Sequence, residues 1–261
     1  MTDPRPGPRR TEEITGGQRL SESAVLANFE TTGPDGIRFS ESRMAAHLGA
    51  DTVLIDPNQG PRAAAAGIAA AAEHFGCDLA AYVDVGGDVL ARGDEPGLGS
   101  PLCDAVMLAA AVHATPTVSA VGCIVGAGCD GELTADEVLE RMEDLVELGA
   151  WLGTSSIPRA VAGELKAAAR TVPTEASVQT ARCALGERGE VEIRGGLRRV
   201  VLTEAGGLAM YFDPEVAVRD TAPLARAVRD ARDLEHARET LAELGVRTEL
   251  DFERDRAQAA D

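Results

Sequence analysis

The sequence predicts an α/β protein: a doubly wound, mainly parallel, Rossmann-like sheet followed by a C-terminal antiparallel β extension and helices. Three observations carry this. Three times in succession an apolar run (Thr52–Ile55, Leu79–Val85, Thr117–Val125) ends in a polar, glycine-bearing loop that leads into a helical stretch, the pattern of parallel strands joined by crossover helices. Hydrophobic residues make up 44% of 261, enough for one large core, yet aromatics are only 3%, so Ala, Val, Leu and Ile must build it. Beyond Gly149 short apolar runs are split by Gly195-Gly196 and Gly206-Gly207, as in an antiparallel meander.

Taken in order, residues 1–18 carry Pro4, Pro6, Pro8 and three arginines and read as an extended arm, because proline withholds a ladder donor. Residues 19–250 read as one α/β domain and 251–261 as a charged tail. A turn falls at Gly33-Pro34-Asp35-Gly36 and Ser40 starts a helix to His47. Pro61 opens an alanine helix through Phe75, proline suiting the first turn. Pro101–His113 is the next helix. Thr134-Ala135-Asp136-Glu137 has the form of a capping box and starts a helix whose Val138, Leu139, Met142, Leu145 and Val146 make an apolar stripe. Helices follow at Pro158–Arg170 and Glu175–Leu185, then strands at Val191–Arg194, Arg199–Leu202 and Leu208–Phe212. Leu234–Leu244 reads as a helix and Val246–Leu250 as a closing strand.

Charge limits the partners. Forty-three acids against 25 bases give a net charge of -18, which argues against nucleic acid and anionic membranes, since both need a basic face. The single lysine, Lys166, lies in an alanine-rich helix, and no GxxxxGK[ST] loop exists. Five scattered cysteines do not make a disulfide framework. No apolar run reaches the roughly 18 residues of a membrane span, and no signal peptide opens the chain, so a cytoplasmic location is expected. The four histidines lack HExxH spacing, which disfavours zinc, and Ser155 and Ser156 lack a GxSxG elbow.

The chemistry gathers in the loops. After the strand ending at Val85, Gly86 and Gly87 would let backbone approach a phosphate or sugar. Asp84, Asp88, Glu95 and Asp104 crowd the same stretch, and carboxylates at a strand end suit Mg²⁺ or a similar hard cation. In so acidic a chain the same residues also serve as turn formers and solvated acids. Position separates the two, for Asp84 ends an apolar strand whereas Asp94 sits in an exposed-type turn. The second loop, Gly126-Ala127-Gly128-Cys129-Asp130-Gly131-Glu132, lacks the third glycine of a dinucleotide fingerprint. It reads as a backbone nest with Asp130 or Glu132 adding a carboxylate, or as a plain turn into a capped helix. Glu175, in Thr174-Glu175-Ala176-Ser177, either faces the cleft or caps its helix. Arg194 could grip an anionic group bidentately or decorate a surface hairpin. All these acids are expected to meet the Asp56 loop in one cleft.

The stretches Asp3-Pro4-Arg5-Pro6-Gly7-Pro8-Arg9, Val83-Asp84-Val85-Gly86-Gly87-Asp88-Val89-Leu90, Ser100-Pro101-Leu102-Cys103-Asp104, Gly126–Leu133, Thr174–Ser177 and Thr248-Glu249-Leu250-Asp251 resemble the domain of unknown function 1152 family, found largely in archaea and actinobacteria. The resemblance spans almost the whole chain and implies no particular reaction. It also implies an earlier glycine-rich strand–loop, which nothing here matches.

The reading that results is a divalent-metal-assisted hydrolase or transferase acting on a small phosphorylated or nucleotide-like metabolite. Asp84 and Asp88 would ligate Mg²⁺ or a similar cation, with Glu95 and Asp104 assisting. Gly86, Gly87, Gly126, Gly128, Asp130, Glu132, Glu175 and Arg194 would hold the substrate. The alternatives are a non-catalytic metabolite-binding module and a subunit of a homo-oligomeric complex.

Overall fold

A computed structural model describes residues 5–114 and 117–260. Among the described residues nine strands form three sheets. A three-stranded antiparallel sheet contains β1 (Gln18–Ser21), β2 (Ala24–Ala27) and β3 (Thr52–Ile55). A four-stranded sheet contains β4 (Leu79–Val85), β5 (Ser119–Val125), β6 (Trp151–Ser156) and β9 (Leu208–Phe212), in the order β4-β5-β9-β6. β7 (Gly189–Ile193) and β8 (Arg198–Leu202) form a two-stranded hairpin of their own. The helices are α1 (Ser40–Leu48), α2 (Gly60–Phe75), α3 (Pro101–Ala114), α4 (Ala135–Glu147), α5 (Arg159–Ala168), α6 (Ala176–Ala184), the short α7 (Pro214–Val216), α8 (Pro223–Val228), α9 (Leu234–Glu243) and α10 (Glu249–Ala260).

The protein is α/β with mixed sheets, and the strand pairing departs from the expected parallel run. Among the described residues only β4 and β5 pair in parallel, with Asp84 beside Ile124 and Val85 beside Val125. β3 pairs with β2, Val53 opposite Leu26, and so belongs to the antiparallel sheet instead. β9 leaves the expected meander and inserts between β5 and β6, antiparallel to both. The edge strand β6 escaped the sequence reading because Gly153, Thr154, Ser155 and Ser156 dilute its apolar pattern; an edge strand with an exposed face needs no apolar alternation.

The closing strand expected at Val246–Leu250 is instead the entry to α10. The Thr248 N–H and hydroxyl both donate to the Asp251 carboxylate at 2.9 and 2.8 Å, a capping arrangement written as Thr-Glu-Leu-Asp. The expected charged tail is therefore helical as far as Ala260, and Asp261 lies outside the described residues. So do residues 1–4 of the expected arm. From Arg5 onward the arm packs down: Gly7 donates its N–H to Glu253 at 2.8 Å, and Asn58 donates to the Pro8 carbonyl at 3.1 Å.

The core centres on α3, in which Leu102, Ala105, Val106, Leu108, Ala109, Ala110 and Ala111 are all buried. A helix apolar on nearly every side must be enclosed. Leu145 of α4, Phe212 of β9, Val228 of α8 and Leu241 of α9 belong to the same buried cluster. No helix among the described residues is long and apolar enough to cross a membrane.

Candidate functional site

Because β4 and β5 run in parallel, their following loops leave the same edge of the sheet. The two loops are stitched together: Gly86 donates its N–H to the Val125 carbonyl at 3.0 Å, and Gly128 donates to the Gly86 carbonyl at 2.8 Å. Gly86 has φ +133°, and a Cβ placed there would overlap the Asp130 carboxyl, so only glycine permits the approach. At Gly126 (φ +67°) a Cβ would collide with the Thr180 hydroxyl of α6.

This approach gathers the acids. The carboxyl oxygens of Asp84, Asp88 and Asp104 lie within 4.8 Å of one another, as do those of Asp88, Asp130 and Glu132. Asp88 belongs to both groups. Asp84 is fixed by the Gly87 N–H, donated to its Oδ2 at 2.8 Å, and Asp104 projects from the first turn of α3. Asp88, Asp130 and Glu132 are buried, and Asp130 Oδ1 has no hydrogen-bond partner although Asp130 is only 8% exposed.

Burial and mutual repulsion raise most of these groups. Loss of hydration pushes Asp88 up to about 12, and the carboxyls of Asp104, Asp84, Asp130 and Glu132 add to the effect. Loss of hydration likewise lifts Asp84 to about 6 against opposing backbone N–H groups. Burial raises Asp130 to about 7, with Glu132 contributing. Asp104 is raised well above the usual range by burial and by Asp84.

Glu132 behaves differently. Burial opposes its charge, but hydrogen bonds outweigh it and hold the group low. Its Oε2 accepts the Gly99 and Ser100 N–H groups at 2.7 and 2.8 Å, and its Oε1 accepts the Ser100 hydroxyl at 2.7 Å. Arg194 and Arg198 approach the same oxygen at 3.2 and 3.3 Å. Glu132 is thus a saturated anchor with two arginines beside it.

Of the sequence candidates, Asp84, Asp88, Asp104, Asp130 and Glu132 come together, with Gly86, Gly87, Gly126 and Gly128 shaping their loops. Arg194 joins through Glu132, and Glu175 accepts the Arg194 N–H at 2.9 Å. Glu95 stands apart from both carboxyl groups. It accepts the Arg92 and Gly93 N–H groups at 2.7 and 2.9 Å and pairs with the buried Arg141 at 3.4 Å. The Asp56 loop does not share the cleft either. Asp56 accepts the Thr11 N–H at 3.0 Å and the Asn58 side chain at 2.7 Å, tying β3 to the N-terminal segment.

Two contributors were not singled out in the sequence. Glu249 accepts the N–H groups of Leu102 and Cys103 at 3.0 and 2.8 Å, capping α3 beside Asp104. Thr180 sets the height of the Gly126 turn. The capping pattern Thr-Glu-Leu-Asp around Glu249 was the available signal for the first; nothing in the sequence marked the second.

A family model described as "Protein of unknown function (DUF1152)" matches residues 1–257. The chain belongs to the DUF1152 family. Curated proteins and solved structures give no match. The match takes in every residue of the acidic cluster of this DUF1152 chain, so both loops and α3 lie within the family's span.

Proposed function

We propose that the cluster holds a divalent cation of the Mg²⁺ type and that the protein is a metal-assisted hydrolase or transferase acting on a small phosphorylated metabolite. The observation that carries this is the grouping of the Asp84, Asp88 and Asp104 carboxyl oxygens within 4.8 Å of one another, with the buried Asp130, whose Oδ1 has no hydrogen-bond partner, adjoining the group through Asp88. Buried carboxyls without compensation are costly, and hard oxygen donors suit Mg²⁺. The donor set fits the ion.

Asp84, Asp88 and Asp104 would hold the cation. The second group is less suited, since both oxygens of Glu132 are already occupied. A bound Mg²⁺ supplies charge stabilisation to a phosphoryl oxygen. The other roles belong to the chain. Gly86 and Gly128 keep the two loops in contact and so fix the distance between Asp84 and Asp130. Arg194, its guanidinium paired with Glu132 and its backbone N–H held by Glu175, would bind the anionic end of a substrate. Asp130, whose Oδ1 makes no hydrogen bond, would take a proton from an attacking water or hydroxyl.

The test is thermal unfolding with and without Mg²⁺ or Mn²⁺, in the wild type and in Asp88→Asn. An ion at about 100 times its Kd stabilises by about 2.7 kcal/mol, a shift of several degrees for a chain of this size. The expected result is that shift in the wild type and none in the variant. An unchanged wild-type Tm rules the reading out.

A further inference from the structure

A cavity of about 330 Å³ adjoins the acidic cluster, between β4 and α3. Ala80, Tyr82 and Asp84 alternate along β4 and share one face of the strand. Asp104, Met107 and Leu108 sit at i, i+3 and i+4 of α3 and share one face of the helix. Ile68 of α2, Val89 and the intervening Ala81 and Val83 of β4 complete the slot, whose acidic members are Asp84 and Asp104. Those are two of the three residues assigned to the cation.

We propose that this slot receives the body of the substrate, and that the substrate is a phosphate ester of a short, linear, apolar alcohol, its phosphate at the acidic cluster and its hydrocarbon between β4 and α3. The inference rests on the cation-site reading above. Continuity of the slot with Asp84 and Asp104 gives the direction, polar end at the cluster and apolar end along Ala80, Met107 and Leu108. The lining gives the chemistry. Apart from the two carboxyls, its one side-chain hydrogen-bonding group is the Tyr82 hydroxyl, which is buried without a partner. A nucleobase would bring several donors and acceptors into this slot and leave most of them unpaired, which is costly. A chain of methylenes brings none and gains from burial. The volume lies within the range of small-ligand pockets, roughly 300–1,000 Å³.

Calorimetric titration of the full chain in Mg²⁺ with inorganic phosphate, methyl, butyl and hexyl monophosphate, and adenosine monophosphate tests this. Each added methylene should tighten Kd about fourfold until the slot is full, and adenosine monophosphate should bind no tighter than methyl phosphate. Met107→Phe, or Ala80→Leu if that variant fails to fold, should flatten the series while leaving methyl phosphate binding and the Mg²⁺ thermal shift in place. A series flat in the wild type, a gradient that survives the slot-filling variants, or adenosine monophosphate binding tighter than hexyl phosphate overturns the proposal. A flat series with the Mg²⁺ shift intact discards only the apolar-bodied substrate. Loss of the Mg²⁺ shift in the wild type discards the cation site with it.

Discussion

Gly128 donates its backbone N–H to the carbonyl of Gly86 at 2.8 Å, and this bond holds the loop after β5 against the loop after β4. It is the contact through which the carboxyls of two sequence-distant loops come to share one site. Gly86 tolerates it because, at φ +133°, it carries no Cβ to strike Asp130.

Gly86→Ala should therefore lose about 1–3 kcal/mol, from backbone strain and the displaced Asp130 carboxyl. Urea unfolding measures this directly. A change within about 0.5 kcal/mol, the range of an ordinary surface substitution, would show that the two loops are not in close register.

Removing the cap on α3 is a second perturbation. Glu249 accepts two N–H groups from the first turn of that helix, and hydrogen bonds to a charged acceptor are worth about 1.5–3 kcal/mol. Glu249→Ala should lower the unfolding free energy by an amount in that range, read as a lower urea midpoint with an unchanged m-value. A midpoint equal to the wild type's would remove Glu249 from the structure's supports.

Much of this was legible in the chain, and the misses have physical causes. Local signals resolved well: the Thr134–Glu137 capping box is formed as read, Thr134 donating to Glu137 at 2.7 Å and accepting from it at 3.2 Å. Strand type resolved too, since β4 spans the predicted Leu79–Val85 and β9 the predicted Leu208–Phe212. Strand partners did not, because pairing is decided by tertiary packing that periodicity does not encode. β3 and β4 both read as apolar runs before polar loops, yet only β4 joins β5. The acidic cluster was legible in Asp84 and Asp88 because one ends a strand and the other follows two glycines. Glu95 read as an assisting acid of the same loop, but its neighbours Arg92 and Gly93 close a local turn upon it. That distinction needs coordinates.

Breaking the Glu132 anchor should be more damaging than losing a surface acid. Glu132 is buried and holds Arg194 and Arg198, and stripping one partner from a buried pair costs about 3–5 kcal/mol. Because Arg194 is half exposed, Glu132→Ala is expected near the lower end, about 3 kcal/mol. Chemical denaturation would show it, and a loss below about 1 kcal/mol, the scale of an exposed pair, would contradict the anchoring role.

The α9–α10 contact supplies a pH signature away from the site. Glu235 receives both Arg254 nitrogens, at 3.2 and 2.7 Å, and Arg238 at 2.7 Å. The Arg254 hydrogen bonds, with Arg238 assisting against burial, hold its carboxyl below the ordinary 4.5. A carboxyl held low in the fold stabilises above its unfolded pKa and loses that contribution as pH falls through the folded value. Glu235→Gln should therefore be less stable than the wild type at pH 7, with the gap closing below about pH 4.5. A gap that is constant from pH 7 to pH 3 would mean that Glu235 carries no charge-dependent role.

The central claim is that Asp84, Asp88 and Asp104 form a cation site, and anomalous scattering from a crystal grown in Mn²⁺ tests it most directly. The account predicts one strong anomalous peak within coordination distance of those three carboxyls, lost in Asp88→Asn crystals grown under the same conditions. A wild-type map with no peak among Asp84, Asp88 and Asp104, or a peak there that persists in Asp88→Asn, would contradict it.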